Sequence, residues 1–519
     1  MPFPPFFRAF LLILSFSFTS SSALFAQFDG TINGIDQYIE KARKEWKIPG
    51  LAVAIVKDGK VVLAKGYGNL EAGKEAKADE NTLFAIASNT KAFIATALGI
   101  LVEEGKLSWN DPVQKHLPYF RLYDNYVSQQ MKVKDLLCHR SGLGTFSGDV
   151  VWYKSNYSAK EIIQRAAELP KDFDFRDGYG YSNIMFITAG EVIQAVSGMS
   201  WSAFIGERIF SPLKMERSQF SVNALKSMDN IASPHKQINE QAQAIPWVNW
   251  DNMGAAGGII SSVSDMAKWM LLNLNEGILA NDTIFAPSTQ TKLWTPHNNF
   301  RVSQQAKAAY PGRHFSGYGL GWSLSDYGGS MIASHGGGYD GMYSRVTLAP
   351  DAELGVVVLT NAMKSIAPPL TNYILDIYLD VSPKKDWCKE SLERIQSFKA
   401  FTAKNLAEKK EQRLLNTQAS LPLSDFTGQY ECSFFGPIEI KESADQLQLH
   451  FPNAPLLNAE LSHWHLNTFE IKWQRTHAWF DFGTLQFILD NDGKVQELQF
   501  DVPNYDIFFH EIQAKRIAP

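Results

Sequence analysis

Ser88-Asn89-Thr90-Lys91 runs straight into Ala92-Phe93-Ile94-Ala95-Thr96-Ala97-Leu98-Gly99-Ile100-Leu101-Val102. Residues three apart share a face of a helix, so a helix over this stretch brings the Ser88 hydroxyl within proton-transfer reach of the Lys91 amine. The run behind the pair is apolar on every side and reads as a buried helix. Burial strips water from Lys91 and lowers its pKa toward the range a general base needs. The same Ser-x-x-Lys spacing recurs at Ser211-Lys214, Ser233-Lys236 and Ser382-Lys385. Each of those carries Pro directly after Ser (Pro212, Pro234, Pro383), and none leads into a long apolar run, so they read as turns or short helix starts.

Upstream, apolar runs at residues 51–56 and 61–65 flank Lys57-Asp58-Gly59-Lys60, whose Asp-Gly pair suits a tight hairpin turn. Strand patterns return at residues 344–348 and 354–360, after a long middle that reads as helices and loops. Early and late strands sharing one antiparallel sheet make the middle an inserted, all-helical lobe, with a cleft between the two parts. The fold class is thus α/β, an antiparallel sheet flanked by helices plus a helical subdomain. Residues 27–385 form this unit, and residues 386–420, rich in Lys and Glu, read as a helical linker. From 421 to 519 the chain alternates in period two, at residues 447–451, 468–473 and 497–502, with Asn491-Asp492-Gly493 as a turn. A separate, small all-β domain of barrel type is expected there.

With 519 residues and 45% hydrophobic content, the chain can bury a large core. A net charge of −5 without a long Lys/Arg run argues against nucleic acid and leaves small molecules or short peptides as partners. Residues 1–26 hold Arg8, an apolar segment from Ala9 to Phe18 and a Ser/Thr-rich stretch ending Leu24-Phe25-Ala26, the pattern of a secretory signal cut near Ala26. A secreted or periplasmic location follows, and the apolar run is too short to span a membrane. Cys138, Cys388 and Cys432 exclude a disulfide framework. No metal or other cofactor is expected, because His510-Glu511 lacks a second His and His463-x-His465 lacks a third ligand nearby. No Gly-x-Ser-x-Gly elbow occurs, so a Ser-His-Asp hydrolase is disfavoured.

Two further clusters carry chemistry. Tyr181-Ser182-Asn183 follows Gly178-Tyr179-Gly180; in extended chain, alternate residues face one way, so the Tyr181 hydroxyl and the Asn183 amide can enter a cleft together. Ser334-His335-Gly336-Gly337-Gly338-Tyr339 offers bare backbone against which a substrate can lie, with an unhindered N–H for an oxyanion. His335 beside it is a candidate to contact a carboxylate or move a proton.

In order, Ser88-x-x-Lys91, Tyr181-x-Asn183 and His335-x-Gly337 resemble the three motifs of the penicillin-recognising serine hydrolases, the family of serine β-lactamases, D-alanyl-D-alanine carboxypeptidases, D-aminopeptidases and related esterases. The likeness runs from about Gly30 to Leu379 and includes Leu136-Leu-Cys-His-Arg-Ser141-Gly142-Leu143, Gly257-Gly258-Ile-Ile-Ser261-Ser262 and Gly355-Val-Val-Val-Leu-Thr-Asn361. The resemblance implies a β-lactamase-like sandwich, with Ser88 as nucleophile, Lys91 as base, Tyr181 sharing base duty or passing the proton to the leaving group, backbone N–H groups of Ser88 and Gly338 as oxyanion hole, and Asn183 orienting the substrate amide. It implies an acyl-enzyme on Ser88. The third motif departs from the β-lactamase Lys-Thr/Ser-Gly: the ammonium and hydroxyl that grip an antibiotic carboxylate are missing. Such variants look more like the peptidase and esterase branches, and the trailing β domain resembles lipocalin-like modules attached to some of those peptidases. The expectation is an exported serine hydrolase of small amides, D-amino-acid peptides first. A carboxylesterase or weak β-lactamase of the same fold is the alternative within the class, and a non-catalytic sensor of cell-wall fragments the alternative outside it.

Overall fold

The computed structural model describes residues 20–517 apart from Asn281, Pro311 and Pro383, with side chains from residue 32 onward. The expected signal segment therefore lies, up to residue 19, outside the described residues. Helix α1 (Ser20–Glu45) leads into strands β1 (Gly50–Lys57) and β2 (Lys60–Gly68). Their connection puts Asp58 and Gly59 at φ +51° and +72°, the two positive values that let a two-residue turn match the twist of its strands. Then come α2 (Thr90–Glu103), α3 (Asn183–Ser197) and α4 (Val263–Leu274). The sheet resumes with β3 (Asn298–Asn299), β4 (Ser316–Tyr318), β5 (Ser323–Tyr327), β6 (Ser330–Tyr339), β7 (Met342–Ala349) and β8 (Leu354–Thr360), followed by α5 (Ala367–Tyr378) and α6 (Trp387–Glu411).

These eight strands make one antiparallel sheet in the order β2-β1-β8-β7-β6-β5-β4-β3. Early and late strands meet through β1 and β8, with Val53 opposite Val358. Both faces of β1 and β8 are covered, which is why they read as continuous apolar runs rather than alternating ones. On one face Ala52, Ala54, Val357 and Leu359 join the core that holds α2 and α4, where Phe93 stacks on Trp269 at 3.9 Å. On the other, Leu51, Val53, Val356 and Val358 pack with Ile35, Ile39, Leu370 and Trp387 from α1, α5 and α6.

The middle of the chain also carries short strands. β3, β4 and β5 extend the sheet, and two short ribbons, His235–Ile238 with Gln241–Ala244 and Ile278–Leu279 with Asp282–Thr283, lie within the middle of the chain. These strands are short and mostly polar, as in Ser323-Leu-Ser-Asp-Tyr327, so no apolar periodicity marks them.

Eight further strands close a barrel: β9 (Gly428–Cys432), β10 (Gly436–Ser443), β11 (Gln446–His450), β12 (Ala459–His465), β13 (Thr468–Trp473), β14 (Thr484–Leu489), β15 (Val495–Asp501) and β16 (Gln513–Arg516). Closure runs through β9 and β16, Tyr430 opposite Arg516. Its interior is filled by side chains such as Phe426, Phe469 and Phe487, the first and last with ring centroids 4.8 Å apart. The three cysteines are free and buried. No helix among the described residues is long and apolar enough to cross a membrane.

The Cys-His-Arg-Ser-Gly-Leu stretch is held by a buried carboxylate. Asp135 takes Arg140 and Arg176 at 2.6 Å each, and these guanidinium groups hold its pKa below the usual carboxylate range despite burial. Removing one partner of a buried ion cluster leaves the others uncompensated. Asp135→Ala is expected to lower unfolding stability by about 3 kcal/mol, read as a reduced urea midpoint with little change in slope.

Candidate active site

Ser88 sits at a bend, not inside a regular helix. Phe84 and Ala85 pair with Ile260 and Ser261, Ala87 takes φ +46°, and residues Ala87–Asn89 form a 3-10 turn that opens α2. A positive φ at a residue with a Cβ is strained and persists only where its surroundings fix it. Here the fixing is dense. The Ile86 carbonyl accepts from Asn89 N (3.1 Å), Asn89 Nδ2 (3.1 Å) and Ser344 Oγ (2.6 Å). Asn89 Nδ2 also donates to Ser344 Oγ at 2.8 Å, tying the turn to β7. Gly337 of β6 lies so close that a Cβ there would stand 2.3 Å from the Ile86 oxygen. Only glycine lets β6 approach the nucleophile turn this closely.

Lys91 lies one turn on and is completely buried. Its Nζ has three oxygen neighbours: Asn183 Oδ1 at 2.7 Å, the Ala256 carbonyl at 2.7 Å and Ser88 Oγ at 3.0 Å. Burial pushes its pKa down to about 7, with Asp149 pulling weakly the other way. A neutral amine has two N–H bonds and one lone pair. The Asn183 and Ala256 oxygens can only accept, so they take both N–H bonds and the lone pair is left for the Ser88 O–H.

Asn183 is the N-terminal residue of α3, and Ser182 before it is extended. Its amide does not stand free. Nδ2 donates to Asp149 at 2.6 Å while Oδ1 holds Lys91, so Asp149 fixes the amide orientation that in turn fixes the amine. Asp149 is itself buried, and desolvation raises its pKa to about 8. Tyr181 packs beside Lys91, whose Nζ is 4.8 Å from its ring centroid. His139, whose Nδ1 accepts from Ser182 N at 3.0 Å, stacks on the Tyr181 ring at 4.2 Å. Burial holds the Tyr181 phenol well above its ordinary pKa, although the Ser88 hydroxyl eases its ionisation. At neutral pH the amine can accept a proton and the phenol keeps its own.

The glycine run is strand, not loop. β5 pairs with β6 only as far as Ser334, whereas β7 pairs through Tyr339, so residues 335–339 have a strand partner on one side. His335 Nδ1 lies 2.6 Å from the Gly336 carbonyl and must donate to it; Nε2 then accepts from the Tyr318 hydroxyl at 2.8 Å. Burial depresses its pKa to about 3. His335 is therefore a neutral ring with both nitrogens engaged, and does not stand in for a missing ammonium.

These residues line one cleft of about 380 Å³. It brings together Ser88, Tyr181, Asn183, His335, Gly336, Gly337 and Gly338, with Lys91 behind the wall. Among the nearby aromatic residues, Trp250 lines the cleft; Trp322 and Tyr339 are buried in the core, and Trp247 packs at its edge. Sequence reasoning missed Asp149 and Tyr318, which carry no local motif, and Trp479, Asp506 and Ile507, which the barrel supplies. The barrel is seated by Lys154 Nζ to His477 Nδ1 (2.8 Å), Lys236 Nζ to Asp481 Oδ1 (2.6 Å), Tyr157 hydroxyl to the Phe435 carbonyl (2.7 Å) and Gly148 N to Glu511 Oε2 (2.9 Å).

The beta-lactamase family pattern matches residues 35–378, about two-thirds of the chain and the whole of this site outside the barrel. The chain belongs to the beta-lactamase family. It is a serine hydrolase by that membership. Residues 412–516 match a family described as a domain of unknown function (DUF3471). Unguisins hydrolase ungD' of Aspergillus campestris is 28% identical over 424 residues, 76% of this chain and 74% of that protein. Protein flp of Staphylococcus aureus is 30% identical over 345 residues, 66% of this chain and 65% of flp, just under two-thirds of its length. In architecture the chain resembles the octameric penicillin-binding protein homologue from Pyrococcus abyssi (TM-score 0.62, 21% identity, 93% of this chain and all of that one). It also resembles a D-stereospecific amidohydrolase from Streptomyces (TM-score 0.53, 23% identity, 66% and 97%).

Lys91 depressed to about 7 works only as the free amine. The rate of Ser88 labelling by a fluorophosphonate is expected to rise as pH increases through about 7 and to level off above it. Lys91→Met should flatten that profile and slow labelling about a thousandfold.

Proposed function

We propose that this family member hydrolyses small amides through an acyl-enzyme on Ser88, with short peptides containing D-amino acids as its substrates, after export from the cytoplasm. The observation that carries the chemistry is the saturation of Lys91: two acceptors take its N–H bonds, and its lone pair meets the Ser88 hydroxyl at 3.0 Å. In acylation Ser88 Oγ bonds to the acyl carbon and its proton passes to Lys91 Nζ. The carbonyl electrons move onto an oxygen held by the N–H groups of Ser88 and Gly338. Tyr181, still a phenol, relays the proton to the departing amine as the tetrahedral adduct collapses. Water then bonds to the acyl carbon as one of its protons passes to Lys91 Nζ, and the bond to Ser88 Oγ breaks as that proton returns to Oγ, releasing the acid. The one-sided edge at residues 335–339 lets an extended substrate pair with β6.

Support for the amide reading comes from the third motif. His335 is neutral and engaged, and Gly336 has no hydroxyl, so the third motif itself supplies neither the cation nor the hydroxyl that grips an antibiotic carboxylate. The relative's name, unguisins hydrolase, and the D-stereospecific amidohydrolase of like fold point the same way. A carboxylesterase would use the same apparatus. Turnover of D-alanine p-nitroanilide, its L enantiomer, a short-chain nitrophenyl ester and a chromogenic cephalosporin separates these activities. The D anilide should be cleaved well ahead of the L form and the cephalosporin, and Ser88→Ala should abolish every rate. Cephalosporin turnover exceeding that of the anilide would refute the substrate class.

Trp479 of the barrel lines the cleft, and the barrel on this reading limits substrate length. Trp479→Ala is expected to raise kcat/KM for a tetrapeptide relative to a dipeptide by about tenfold. An unchanged ratio would remove this role from the barrel.

A further inference from the structure

One corner of the cleft is apolar and rigid, and the steps above do not use it. Trp152 ends the short helix Asp149–Trp152, and Trp250 and Met253 lie in the turn that leads into Gly254–Gly257; all three line the cleft with Ser88. The two indoles meet edge to face at 5.3 Å. A Cβ at Gly257 would touch the Trp250 ring at 3.1 Å and Met253 Sδ at 3.5 Å, so ring and thioether stand side by side. Phe146 adds a third ring, edge-on to Tyr181 at 5.6 Å. Its backbone is held at φ +62°, with its N–H on the Tyr181 carbonyl (2.8 Å) and its carbonyl on Asp149 N (3.0 Å). Strain of this kind persists only where the surroundings enforce it, and here it keeps an aromatic ring on the cleft.

The corner is braced from behind. Asp340, fully buried in the turn between β6 and β7, accepts from Trp250 Nε1 (3.2 Å) on one oxygen and from the Tyr153 hydroxyl (2.8 Å) on the other. Asn252 Nδ2 donates to the Trp152 carbonyl at 2.9 Å and so joins the two turns. The position of the corner relative to the reacting atoms is fixed too. Ala256 holds Lys91 by its carbonyl, and the Trp250 ring packs at 4.6 Å on Tyr339, the residue after Gly338. The departing amine faces Tyr181, which lies toward His335 with ring centroids 6.2 Å apart, so the corner is left to the side chain of the acyl residue. Both acids beside it are engaged, Asp149 by Asn183 Nδ2 at 2.6 Å and Asp340 by Trp250 and Tyr153. A charged side chain there would lose water and gain no partner, and a methyl group would leave the aromatic surface wet.

We propose that this corner is the subsite for the side chain of the acyl residue, and that it selects a large apolar group, aromatic or branched, over a methyl or a charged chain. This rests on the hydrolase reading above and names the substrate class within it. Indole and thioether surfaces gain most from a group that fills the space between them.

The test compares the p-nitroanilides of D-phenylalanine, D-leucine, D-alanine and D-lysine. The first two should exceed D-alanine in kcat/KM by about ten- to hundredfold, and D-lysine should fall below D-leucine. Trp250→Ala should cut the ratio of D-phenylalanine to D-alanine about tenfold, and Met253→Ala on the same wall should lower it as well. A second readout needs no turnover: 3-phenylpropanamide should protect Ser88 from a fluorophosphonate at about tenfold lower concentration than propanamide, and Trp250→Ala should erase that difference. A D-alanine rate equal to or above that of D-phenylalanine, equal protection by the two amides, or a size preference that survives in both variants would overturn the proposal. Cleavage of the anilides without size preference rejects the subsite alone. Size-dependent protection without cleavage of any anilide supports the subsite and rejects the amide-hydrolysis reading.

Discussion

The contact on which the rest depends is that between Lys91 Nζ and its three oxygen neighbours. An amine buried in a protein interior loses far more hydration as a cation than as a neutral base. The apolar body of α2 imposes that loss, and the fixed acceptors decide where the surviving lone pair points. Neither alone would activate Ser88. A desolvated amine free to rotate would spread its lone pair over many directions, and a well-aimed amine in water would stay protonated.

Around this contact the structure is built in layers of support. Asp149 orients Asn183, which orients Lys91. Asn89 and Ser344 hold the strained bend before Ser88, and Gly337 lets the substrate edge lie against that bend. His139 backs Tyr181, and the ion cluster at Asp135 holds the segment that carries His139. Most of these groups never need to touch a substrate. They keep a few atoms within tenths of an ångström of a working arrangement.

Much of this was legible in the sequence, and the reason is local. The Asp58-Gly59 turn, the apolar strands and α2, buried from Thr90 to Leu101, are each determined by neighbours in the chain. So is the approach of Lys91 to Ser88, since a 3-10 turn running straight into α2 keeps residues three apart on one side. What was not legible depends on residues far apart. Asp149 is an isolated acid in sequence and becomes part of the site only because α3 starts beside it. Asn183 lines the cleft, and the holding of its amide between Lys91 and Asp149 depends on partners distant in the chain. His335 was open to several roles until its two nitrogens met Tyr318 and Gly336. The polar strands β3 to β5 owe their place to pairing partners, not to a pattern of their own.

The barrel adds a constraint of a different kind. It closes only when β16 pairs with β9, and β16 lies far downstream of the nucleophile. During translation Ser88 and its base emerge long before the strand that completes the wall holding Trp479. A chain stopped short of that strand would carry Ser88 and Lys91 without the closed barrel whose Trp479 lines the cleft.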